Sequence, residues 1–175
     1  MAKFVIKGIE AVKGRQQFSQ LVSVDKAVDT DKLQAEIYKA ENTNRLIDEN
    51  KLDGEKQEIL PGVLDLYNDS IEKKYNSSFR GIITYMNLVA DLQTVSPKKF
   101  KYLPTGKEKI KEFEFKNGDL RVYGIDVFGG KLIMYCGYKN QQPQDIEKFR
   151  SLKRQFLDTY NIKNIENEKR RIDKE

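Results

Sequence analysis

Apolar and polar positions alternate most cleanly in the second half of the chain. Lys111–Lys116 reads K-E-F-E-F-K, the period of two of a half-buried strand, and Asn117-Gly118 follows with a dipeptide suited to a type I′ turn. Leu120–Val127 (LRVYGIDV) is β-branched and aromatic, Gly129-Gly130 offers a second turn, and Lys131–Lys139 (KLIMYCGYK) supplies a third strand. The pattern predicts a three-stranded antiparallel meander. The period then lengthens. Pro143 and Asp145 open a segment in which Ile146, Phe149, Leu152, Phe156 and Tyr160 recur every three or four residues, one apolar face of a helix. Upstream, Phe79, Ile82, Ile83, Met86, Val89 and Ala90 form another stripe, started by Ser77/Ser78 and stopped by Ser96-Pro97. A helix beginning near Pro61, with Val63, Leu64, Tyr67 and Ile71, pairs with it as a hairpin through Tyr75–Ser78.

The first 55 residues are less patterned. Lys3–Ile9 and Phe18–Val24 read as short strands, Thr30–Glu49 as a helix, and Leu52–Gln57 as a linker. The tail ENEKRRIDKE reads as a solvated helix end. The expected fold class is α+β: a helical hairpin and a C-terminal helix packed on an antiparallel meander sheet. Residues 1–55 form an N-terminal extension, 56–175 form the main domain, and the two make one compact unit.

Composition removes several kinds of chemistry. The 175 residues include no histidine and one cysteine, Cys136, so an intrachain disulfide, a Cys/His zinc site and a Ser–His or Cys–His nucleophile are all excluded. Neither a GxxxxGK[ST] loop nor a GxGxxG fingerprint is present. No cofactor is implied. No apolar run approaches a membrane span and the start carries no leader-like block, so a cytoplasmic protein with no membrane partner is expected.

Charge is uneven. Residues 1–96 carry a net −2 and residues 97–175 a net +7, with seven lysines against three glutamates between Pro97 and Lys116. Lysines interleaved with aromatics suit a polyanion such as RNA, and Lys107, Lys109, Lys111, Lys116 and Tyr123 are its candidate contacts; a solvated lysine-rich surface has the same composition.

Two-residue loops at Asn117-Gly118 and Gly129-Gly130 set a register in which Glu114 opposes Arg121, and Arg121 opposes Tyr138. One face then holds Phe113, Phe115, Leu120, Val122, Ile133 and Tyr135 and receives the helices. The other holds Glu112, Glu114, Arg121, Tyr123 and Tyr138 and is expected to be open. A guanidinium holds phosphate, a carboxylate takes a proton, and a phenol donates one or stacks. Glu114 and Arg121 also fit an ordinary cross-strand ion pair.

The element order and the words FKYLPTGKEKIKEFEFKNGDLRVYGIDVFGGKLIMYCGYKNQQPQDIEKF together resemble the RelE/ParE superfamily of bacterial toxin–antitoxin systems, in its RelE-like and HigB-like branches, over about residues 60–160. The corresponding stretches are KEFEF, Arg121-Val122-Tyr123 and Tyr138-Lys139-Asn140. The resemblance implies a RelE-like fold and a metal-independent endoribonuclease, an mRNA interferase acting on ribosome-bound mRNA by 2′-hydroxyl transesterification, with a cognate antitoxin as partner. By position, Arg121 would clamp the scissile phosphate, Glu112 or Glu114 would take the 2′-hydroxyl proton, and Tyr138 or Lys139 would assist the leaving oxygen. Glutamates stand at 112 and 114 where the ribosome-dependent cutters often carry lysine, and the frequent second arginine falls at Asn140. The alternative is a non-nuclease binding protein on the same scaffold, either a ParE-like inhibitor of a protein target or an inactive RelE-like module.

Overall fold

The computed structural model describes residues 3–24, 61–106 and 109–160. The expected helix at Thr30–Glu49, the linker at Leu52–Gln57 and the tail beyond residue 160 lie outside the described residues. The architecture is α+β. Strands β1 (Lys3–Gly8) and β2 (Gln17–Val24) are followed by helices α1 (Val63–Ser70) and α2 (Asn76–Ala90). Next come β3 (Phe100–Tyr102), β4 (Glu112–Asn117), β5 (Leu120–Val127), β6 (Gly130–Tyr138) and helix α3 (Gln142–Tyr160). One six-stranded sheet runs in the order β1-β2-β6-β5-β4-β3. Every pairing is antiparallel except β2 with β6, which is parallel. The two N-terminal strands are therefore part of the sheet: they lengthen it beyond the meander, and the basic stretch adds β3 at the opposite edge.

Both faces of this sheet are covered. α1 and α2 lay Leu64, Tyr67, Phe79, Ile82 and Met86 on Phe18, Phe113, Phe115, Leu120, Val122 and Ile133. On the other side α3 lays Phe149 and Phe156 on Tyr123, Ile125, Leu132 and Met134. Three layers result, each burying an apolar stripe that could not remain in water.

Local chemistry sets the joints. The N-cap of α1 is Gly62, which has no side chain to offer. Gln20 of β2 substitutes: its Oε1 accepts the N–H groups of Leu64 and Asp65 at 3.0 and 3.1 Å. A Cβ at Gly62 would collide with that glutamine. α2 ends at Ala90, six residues before the expected stop at Ser96. Leu92 adopts φ 61° there, the Leu92 N–H reaches the Val89 carbonyl at 3.0 Å, and the Gln93 N–H reaches Leu88 at 2.8 Å. This is a Schellman ending with leucine in the place glycine usually takes. The link between α1 and α2 is a 3₁₀ turn at Lys73–Tyr75.

Replacing Gln20 with alanine should lower stability by about 1 kcal/mol, since it strips two amide donors of their acceptor. Urea unfolding checks this, with the fall expected in the midpoint and not in the slope.

Candidate functional site

The hairpin registers differ from those expected. Asn117 pairs with Leu120 and Val127 with Gly130, so the loop residues are Gly118-Asp119 and Phe128-Gly129. Gly118 and Gly129 take positive φ, 56° and 81°. Asn117 is not a loop residue because its side chain is engaged within the fold: Nδ2 donates to the Ser78 carbonyl and Oδ1 accepts from Lys99 Nζ, each at 3.0 Å. Gly130 is required by packing rather than by the turn, since a Cβ there would run into the backbone of Gln17 on the parallel strand.

Glu114 consequently opposes Tyr123, and Arg121 opposes Lys116 on one side and Gly137 on the other. A β-bulge on β6 changes more. Gly124 pairs with Ile133 but Tyr123 pairs with Tyr135, leaving Met134 as the extra residue. Beyond the bulge the alternation of β6 inverts. Tyr135 moves to the α3 side, where its phenol donates to Asp145 at 3.4 Å. Tyr138 moves to the α1/α2 side, with ring centroids 5.8 Å from both Tyr67 and Tyr75. The sequence register placed Tyr138 beside Arg121 and Tyr135 with the apolar set, and the bulge reverses both placements.

The face expected to be open lies beneath α3. Glu112 is buried and both its oxygens are engaged. Oε1 accepts from Arg150 Nε and lies 3.0 Å from Arg150 Nη2, while Oε2 accepts from Lys153 Nζ at 3.0 Å. Lys153 also reaches the Ile110 carbonyl, and Arg150 the Pro104 carbonyl. Glu114 Oε2 accepts from the Gln142 amide at the start of α3. Tyr123 stacks on Phe149, 5.7 Å between centroids. Arg121 is 7% exposed, and its Nη1 donates to the Gly118 and Leu120 carbonyls at 2.7 and 2.8 Å.

Among the described residues, four buried atoms in this layer have no hydrogen-bond partner: Glu114 Oε1, Arg121 Nε, Tyr123 Oη and Asp145 Oδ2. Burial raises the Tyr123 phenol well above its ordinary value, and the carboxylates of Glu114 and Asp145 raise it further against the opposing pull of Arg121. Tyr67, on the other face, is raised chiefly by burial and donates to the Gly137 carbonyl at 2.6 Å.

The remaining candidates lie on the margin of the sheet. Lys109 and Lys111 are exposed, Lys116 is half-buried, and Lys107 lies outside the described residues. They flank β3, the edge strand, together with Lys98, Lys99 and Lys101. Tyr102, also on this edge, is held by a three-way bond: Lys131 Nζ donates to its hydroxyl at 3.0 Å and to Asp126 at 2.8 Å, and the Tyr102 hydroxyl donates to Asp126 at 3.0 Å. Sequence reasoning missed Lys131, which is buried against Phe100, Tyr102 and Phe113. Lys139 is exposed beside Tyr138 at a cleft lined also by Tyr75, Asp119, Asn140 and Gln141. Among the described residues no group of three or more His, Cys, Asp or Glu side chains is placed to hold a metal ion. No helix among them is long and apolar enough to cross a membrane.

No family model, curated protein or solved structure matches the chain.

Glu112→Ala should cost roughly 3–5 kcal/mol, because it removes the buried carboxylate that Arg150 and Lys153 share. Measured by urea unfolding, the double change Glu112→Met with Lys153→Met should recover most of that loss. The tyrosines give a pH dependence. Their raised values mean that stability is complete below the unfolded phenol value of 10.0 and declines as the pH rises beyond it. Tyr123→Phe, which deletes an unpartnered hydroxyl, should leave neutral-pH stability unchanged or higher. Tyr67→Phe should lower it by about 1 kcal/mol.

Proposed function

We propose that this protein acts by binding single-stranded RNA along the β3–β4 edge, without cleaving it: a non-nuclease binding protein built on this α+β scaffold. The observation that carries the reading is the row of lysines on that edge. Lys98, Lys101, Lys109, Lys111 and Lys116 make no ion pair among the described residues, whereas Glu112 and Glu114, the acids of the same segment that are among the described residues, are buried under α3. Among the described residues the edge therefore presents lysines with no ion-pair partner, the condition for capturing a polyanion by counterion release.

Cleavage is less well supported. A general base must reach the 2′-hydroxyl within hydrogen-bond distance, and a phosphate clamp needs donors that face solvent. Glu112 is committed to Arg150 and Lys153, and Arg121 directs Nη1 into backbone carbonyls. In this arrangement neither meets an RNA backbone.

Fluorescence anisotropy with a labelled uridine decamer tests the proposal. Binding should weaken linearly in log–log form with salt, with a slope of about −3 for about four phosphates engaged. Lys101→Glu with Lys111→Glu should weaken it by about tenfold or more, and the RNA should remain intact on a gel. Absence of binding at low salt would refute the proposal. Cleavage lost in Arg121→Ala would restore the interferase reading in its place.

A further inference from the structure

At the end of the sheet where β4 turns into β5, the chain forms a cleft of about 460 Å3 lined by Tyr75, Asp119, Tyr138, Lys139, Asn140 and Gln141. Three separate parts of the fold build it: the 3₁₀ turn before α2, the β4–β5 loop, and the 3₁₀ turn at Lys139–Gln141 that leads into α3. The parts are fixed to one another. The Lys139 N–H donates to the Asp119 carbonyl at 2.8 Å, and the Tyr75 hydroxyl donates to Asp119 Oδ2 at 3.3 Å. Tyr138 is braced from behind by Tyr67 and meets Tyr75 at a 51° tilt, so the two rings make one bent aromatic wall rather than a slot.

The polar groups on this wall select a ligand. Tyr75 occupies one lone pair of the Asp119 carboxylate, and among the described residues no other side chain donates to it, so its outer side is left to accept. Two adjacent donors on one edge match such a group. Among the four RNA bases only guanine has them, at N1–H and the exocyclic N2 amine. Adenine and cytosine set an acceptor beside their amine, and uracil sets its single donor between two carbonyls. A simple cation is disfavoured, because Lys139 is part of the lining. A ligand with a donor edge, a flat face and a negative tail satisfies all three features. The cleft also adjoins the lysine edge, since Lys99 bonds to Asn117 and Lys116 precedes Asn117 at the end of β4.

We infer that this cleft receives a guanine base of a bound RNA, packed against the Tyr75–Tyr138 wall with its N1–H and N2 amine on Asp119 and its phosphate near Lys139. The inference rests on the RNA-binding reading above and adds base selection to it.

Uridine decamers carrying a single central guanosine, adenosine or cytidine, titrated against the full chain, provide the test. The guanosine decamer should bind roughly tenfold tighter than the others. Asp119→Asn should abolish that preference without weakening the other decamers, because the change removes a negative charge; circular dichroism verifies its fold. Lys139→Ala should weaken all of them alike. Equal binding of guanosine and adenosine decamers, or a preference that survives Asp119→Asn, overturns the base site and leaves the RNA-binding reading standing. Failure of every decamer to bind overturns both.

Discussion

The structure depends on a buried charge. Glu112 is buried beneath α3 on β4, where an isolated carboxylate would cost several kcal/mol, and the two cations of α3 make the position tolerable. That requirement holds α3 in one place. Arg150 and Lys153 must reach the same carboxylate, which lays Phe149 on Tyr123 and brings Gln142 to Glu114. The buried side of α3 thus mixes Asp145, Phe149, Lys153 and Phe156, a polar and apolar stripe matched to a sheet face that mixes them too. The sheet becomes the middle of three layers, and the chemistry open to partners is moved from its face to its margins.

The margins are shaped by less conspicuous devices. The bulge at Met134 turns the end of β6 over, carrying Tyr138 to the aromatic wall and Tyr135 under α3. Gly130 allows the backbone of β2 to lie against β6, which extends the sheet on the side away from the lysines. At the far edge, the Lys131–Asp126–Tyr102 bonds hold β3 in place, so that Lys101 projects from a fixed strand rather than a loose loop.

Much of this was legible in the sequence, and the failures have identifiable causes. The meander, the hairpin helices and α3 follow from periodicities of two and of three to four, and the strands at Lys3–Ile9 and Phe18–Val24 are present within about a residue. Loop positions were misplaced because turn chemistry cannot tell a glycine needed for φ from one needed for close packing, as at Gly129 and Gly130. A bulge carries no sequence signal of its own, so the side on which Tyr138 emerges was out of reach. The covered face was within reach: Lys153 falls within the apolar stripe of α3 and Arg150 beside it, and a cation at such a position asks for a carboxylate opposite it. The parallel docking of β2 is a long-range pairing that no local pattern specifies.

α3 stays closed over the centre of the sheet, which leaves the rim for the proposed binding. Amide hydrogen exchange at neutral pH measures that directly. The account predicts that the amides of residues 145–156 and of 121–125 exchange together and only through global unfolding, with a free energy equal to that from urea. Exchange of the α3 amides by a separate opening several kcal/mol below the global value, with β5 still protected, would contradict it.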